Sequence, residues 1–120
     1  MNKEILHAAC AQEPVAPYSQ MVGYGSLIFV SGQVAGEARG DPELQTQLIL
    51  ERIGRMLLEV GSGPEKILKC MVHLSDAAHF EKMNRAYAAY FQKDYPARIC
   101  TSGVQLWDGL EVEIEAIAGK

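Results

Sequence analysis

Two things are scarce in this sequence: cysteines that could pair and basic residues that could cluster. Cys10, Cys70 and Cys100 are the only cysteines, an odd number at unrelated spacings with no C-x-x-C. That speaks against a disulfide framework and leaves free thiols, as expected in a reducing cytoplasm. His7, His73 and His79 have no metal-ligand spacing, so no metal is expected. Lysine and arginine number 11 against 15 aspartates and glutamates, a net charge of −4, and nowhere form a stripe. A polyanion binder needs such a stripe to neutralise phosphates, so a nucleic-acid partner is not expected. No apolar run reaches the roughly eighteen residues that a membrane span requires. Met1-Asn2-Lys3-Glu4 leads into no signal-type apolar core. Gly32, Gly36 and Gly40 do not fit a phosphate-binding loop, and Ser19, Ser31 and Ser102 lack a nucleophile-elbow context. No cofactor is expected.

What is present is an ordinary globular composition, 48% hydrophobic and 22% charged over 120 residues, which predicts one domain, 1–120. A short first strand is expected over Lys3–His7 with Ile5 inward. Pro14 and Pro17 keep Ala8–Ser19 irregular. Met21–Tyr24 and Leu27–Ser31, separated by Gly25-Ser26, read as a hairpin. After a glycine-rich loop, Asp41-Pro42-Glu43 starts a helix whose stripe is Ile49, Ile53, Met56, Leu57 and Val60. Gly61 stops it. Lys69–Ser75 alternates as a strand burying Cys70, Val72 and Leu74. A second helix, capped by Ser75 or Asp76 and ended by Asp94–Pro96, gathers Phe80, Met83, Tyr87, Tyr90 and Phe91 on one face, a pattern that reads as core. A last strand over Leu110–Ala118 places Glu111, Glu113 and Glu115 together, opposite Val112 and Ile114. The order predicts an α+β layer pair, with both helices on one sheet face.

The segment Tyr95–Thr101 carries the best chemical candidate. Pro96 prevents a helix from running through, and Arg98 leads a strand on which Arg98, Cys100 and Ser102 share a face. A planar guanidinium beside a thiol and a hydroxyl is a receptor for a small carboxylate, which it binds bidentately. A solvated edge arginine gives the same pattern. Three glutamates on one strand face are either washed by solvent or line an interface, where Arg98 could meet one across the sheet or across subunits.

Five stretches decide between these alternatives: Ala16-Pro17-Tyr18-Ser19-Gln20, Val30-Ser31-Gly32-Gln33, Asn84-Arg85-Ala86-Tyr87 with Tyr90-Phe91, Pro96-Ala97-Arg98-Ile99-Cys100, and Glu113-Ile114-Glu115-Ala116-Ile117-Ala118. In this order, with fifteen positions from Arg98 to Glu113, the chain resembles the YjgF/RidA family of enamine and imine deaminases, also known as L-PSP endoribonucleases. The resemblance implies a chorismate-mutase-like, trimeric fold with sites between subunits. It implies that Arg98 grips a substrate carboxylate and Glu113 positions water, with Tyr18, Ser31, Gly32, Cys100 and Asn84 lining the pocket. Substrates of the 2-aminoacrylate and 2-iminobutanoate type would be hydrolysed. A non-catalytic binder of a carboxylate metabolite and a ribonuclease are the competing readings. The chain departs from the family in a shorter Val34–Gly40 segment, in Ile99 where a small residue is common, and in Thr101 where an aliphatic one is.

Overall fold

Six strands pair into one mixed sheet: Glu4–Leu6 (β1), Met21–Tyr24 (β2), Leu27–Gln33 (β3), Ile67–Leu74 (β4), Ala97–Thr101 (β5) and Val112–Gly119 (β6). Two helices, Pro42–Glu59 (α1) and Phe80–Phe91 (α2), follow β3 and β4 respectively. The computed structural model describes all residues, 1–120. The sheet order is β1-β2-β3-β6-β4-β5, antiparallel throughout except for the parallel pair β4 and β5. The last strand therefore inserts at the centre, between the two strands that α1 connects.

Alternation sorts the sheet into two faces. Val30, Cys70, Val72, Ile114 and Ala116 are buried with Ile49, Ile53, Met56 and Leu57 of α1 and Met83 of α2 in one core cluster. The opposite face leaves Phe29, Lys69 and Ile99 exposed. The expected pairing of apolar stripes with one sheet face is what the structure contains.

Local signals act as the residues dictate. Gly25 takes a φ of +60° at the first position of the two-residue hairpin, the conformation a II′ turn requires. Asp41 accepts a hydrogen bond from the Leu44 amide at 3.0 Å, with Pro42 opening α1. Gly61 provides the left-handed exit at a φ of +86°.

Ile5, the end of α2 and the start of β6 depart from expectation. Ile5 is 48% exposed, because β1 is an edge strand and it is Leu6 that packs against the core. Helix α2 ends at Phe91, ahead of Asp94–Pro96. Gln92 and Asp94, at φ of +67° and +50°, turn the chain back so that β5 lies parallel to β4. Asp94–Pro96 carries the turn signal, but Gln92, which leaves the helix two residues earlier, is not a residue that favours a positive φ. Strand β6 begins at Val112, not Leu110, because Trp107–Gly109 coils into a single 3₁₀ turn and Glu111 is held away from the strand face.

Gln45 does that holding. It is fully buried on α1, and its Nε2 donates to the Ala38 carbonyl at 3.1 Å and to Glu111 Oε1 at 2.7 Å. Its Oε1 accepts from the amides of Glu111 and Val112 at 3.2 and 3.0 Å. Removing this side chain strands several polar groups at once, each costly when desolvated. Gln45→Leu is expected to destabilise the fold by about 2–4 kcal/mol. The loss would appear as a lower denaturant midpoint at unchanged slope; an unmoved midpoint would contradict it.

Candidate active site

The pairing register fixes where the two principal charges point. Arg98 stands opposite Cys70 on β4, and Cys70 opposite Ala116 on β6, so Arg98 belongs to the helix-covered face. Glu113 stands opposite His73, and His73 opposite Thr101, so Glu113 belongs to the other face. Within one chain the sheet lies between them. The expectation that Arg98 meets a glutamate across its own sheet is corrected by this alternation.

On the helix side, Arg98 Nη1 donates to Asn84 Oδ1 at 2.7 Å. The guanidinium sits 4.8 Å from the Tyr87 ring centre and 5.8 Å from that of Phe80. Asn84, Tyr87, Tyr95, Pro96 and Arg98 line a depression of about 340 Å³. Tyr87 and Phe80 were expected only as core. Tyr87 is indeed buried, but its ring also carries Arg98. Their spacing with Asn84 at i, i+4 and i+7 was the available signal. Cys100 shares this face, and burial raises its thiol above the ordinary 9.0 despite the opposing pull of Arg98. It is therefore a protonated thiol at neutral pH and a poor nucleophile.

On the other side, Glu113, Gly32, Ser31 and Tyr18 line a larger cleft of about 960 Å³. A bulge between Val30 and Gln33 interrupts the β3–β6 register at Ser31 and Gly32. A Cβ at Gly32 would overlap the Glu113 carboxylate, so a side chain here would have to push that carboxylate aside. The Ser31 hydroxyl donates to the Ser19 carbonyl at 2.6 Å and so ties the Tyr18 segment to the bulge. The short Val34–Gly40 segment forms one wall, where Arg52 donates to the Val34 carbonyl at 2.6 Å and pairs with Glu37 at 3.2 Å. Arg52, Glu37 and Trp107 were not anticipated in the cleft, because they come together only through the fold.

The three glutamates do not form the row that alternation predicts. Glu111 accepts from Gln45 and from the Gly40 amide at 3.1 Å, and the Gln45 bond holds its carboxyl below the ordinary value. Glu115 accepts from His73 Nε2 at 3.1 Å, while His73 Nδ1 lies 2.8 Å from the Thr101 hydroxyl. Thr101 thus has a specific partner. Glu113 alone makes no hydrogen bond or ion pair. Burial raises its carboxyl above 4.5, with His73 opposing and Glu115 adding to the rise.

A carboxyl whose proton affinity rises on folding makes the folded state favour protonation. Its contribution to stability is fully present below the unfolded value of 4.5 and is lost as pH rises through the raised one. Glu113→Gln is therefore expected to be more stable than wild type at neutral pH, with the gap closing once the pH falls below about 4. Thermal unfolding across this range measures it; equal melting temperatures at neutral pH would contradict the assigned environment.

Known proteins share this arrangement of elements. Residues 9–120 match the family model described as endoribonuclease L-PSP. A RutC family protein of Pyrococcus abyssi is 37% identical over 126 residues, covering 100% of this chain and 99% of the relative. The Escherichia coli protein named "Putative reactive intermediate deaminase TdcF" is 33% identical, covering 97% of this chain and 96% of its own. The solved structure of E. coli TdcF with bound serine superposes with a TM-score of 0.89 at 32% identity, covering 98% of each chain. RidA from an Antarctic Psychrobacter superposes equally well, with a TM-score of 0.89 at 28% identity over 98% of this chain and 99% of that one. By sequence along almost its entire length, and by fold, this chain belongs to the YjgF/RidA family, whose model bears the description endoribonuclease L-PSP.

Proposed function

We propose that this protein hydrolyses small reactive enamines and imines, of the 2-aminoacrylate and 2-iminobutanoate type, to 2-keto acids and ammonia. The site is built between two chains of a homotrimer, Arg98 coming from one and Glu113 from the next. The observation that carries this reading is that each charge is half-exposed and lacks an opposite partner in its own chain.

The chemistry needs little else. A bidentate contact from Arg98 to the substrate carboxylate fixes the imine carbon relative to the water. Glu113 accepts a proton from that water as its oxygen bonds to the carbon and passes that proton to the nitrogen, giving a neutral carbinolamine. Glu113 then takes the carbinolamine's hydroxyl proton and delivers it to the nitrogen, so the carbon–nitrogen bond breaks as the carbonyl forms, releasing ammonia and leaving the keto acid. The raised proton affinity of Glu113 suits both transfers. Glu111 and Glu115, each already engaged, are poorer candidates. Tyr18, Ser31 and Gly32 shape the wall around Glu113, Asn84 steadies Arg98, and Cys100 fills space beside it. The serine held by TdcF is a small α-carboxylate of the kind this reading requires.

The family description favours a second reading, RNA cleavage. The net charge of −4 and the absence of a basic stripe oppose it. A carboxylate sensor would use the same Arg98 and release no ammonia.

Turnover of freshly generated 2-aminoacrylate or 2-iminobutanoate separates the three. Arg98→Ala is expected to lower kcat/KM by roughly thirtyfold to several thousandfold, the cost of about 2–5 kcal/mol for a desolvated charge pair. Arg98→Lys should recover little, because an ammonium lacks the two-pronged fork. Glu113→Gln should slow the reaction far more than Glu111→Gln. Each variant is to be compared as a folded trimer, which light scattering should place near three times 13.2 kDa. Equal rates for wild type and Arg98→Ala would move the site elsewhere, and RNA cleavage surviving Arg98→Ala and further purification would favour the nuclease.

A further inference from the structure

Arg39, Arg52 and Arg85 each meet an acidic side chain, whereas Arg98, like the exposed Arg55, meets none. It is nevertheless well held. Nη1 bonds to the Asn84 carboxamide oxygen, and the guanidinium lies over Tyr87 and nears Phe80. These three residues form one stripe on α2, and all are uncharged. Nε and Nη2 of Arg98 bond to nothing in the chain, which leaves open the edge that receives a carboxylate side-on. Tyr87 is only 4% exposed, and its hydroxyl, which meets only the weakly bonding Cys70 thiol, does not account for an aromatic residue here. The ring face does, because an aromatic quadrupole attracts a cation without neutralising it.

We propose that Phe80, Asn84 and Tyr87 form a charge-neutral cradle, with Tyr87 its main positioning residue, which fixes the Arg98 fork and keeps its full charge for a ligand carboxylate. This rests on the reading of Arg98 as the carboxylate grip. An acid in the place of Asn84 would orient the fork equally well. It would also occupy it and cancel its charge, competing with the ligand. The cradle avoids that competition.

The test reads carboxylate binding directly, by titration calorimetry with 2-oxobutanoate, beside imine turnover. Asn84→Asp keeps the side chain's shape and adds only charge. It is expected to leave melting unchanged or higher while weakening binding and raising KM by at least about tenfold. Tyr87→Leu should weaken binding by roughly twofold to thirtyfold, and Tyr87→Phe, which retains the ring face, should restore it. If Arg98→Ala loses binding but Asn84→Asp binds as wild type, the cradle is overturned and the carboxylate reading stands. If Tyr87→Phe binds as poorly as Tyr87→Leu, the ring face is not what acts, and the proposal also falls. Binding unaffected in Arg98→Ala overturns both. Should Tyr87→Leu fail to fold, Asn84→Asp decides alone.

Discussion

Side-chain alternation across β6, β4 and β5 is the constraint on which the candidate site depends. Because β6 inserts between β3 and β4, residues in register on three strands share a face. Arg98 is thereby committed to the helices and Glu113 to the open side. No rotamer change brings the two together through a packed sheet whose central residues are fully buried. An active site that uses both must be completed by a second copy of the chain. The fold therefore supports the proposed inter-subunit site through geometry internal to a single chain.

The same face shows how one carboxylate is set apart from its neighbours. Three glutamates alternate along one stretch, and charge repulsion alone treats them alike. Packing does not. Gln45 draws Glu111 towards α1, and His73, itself steadied by Thr101, occupies Glu115. Glu113 is left half-buried and unpartnered against Gly32, where burial raises its proton affinity. A buried glutamine on α1 and a histidine on β4 thus distinguish carboxylates that look equivalent in sequence.

Much of this was legible beforehand, and the reasons differ by element. Helix α1 announced itself through its cap, proline and 3.6-residue stripe, and the hairpin through Gly25-Ser26, because these signals are local. The stop at Asp94–Pro96 is legible but the exit two residues earlier is not, since Gln92 takes a positive φ without being a glycine. The glutamate row was misread because a strand pattern was extended two residues into a segment that Gln45, distant in sequence, pulls aside. For the same reason Tyr87 read as core alone. A side chain's burial follows from periodicity, but the cation resting on it comes from another element. Family motifs pointed to Arg98, Glu113 and their neighbours, and the fold then divided those residues between two faces.

The most direct test of the account is complementation between inactive variants. Arg98→Ala and Glu113→Gln are each purified and then unfolded and refolded together in equal amounts. A site shared between chains regains an intact Arg98–Glu113 pair wherever the two types adjoin in the right order. Random mixing of the closed ring then predicts recovery of about one quarter of wild-type turnover from two parents that have almost none. If mixed oligomers form but stay as inactive as their parents, both residues do not serve one site across an interface, and the account fails.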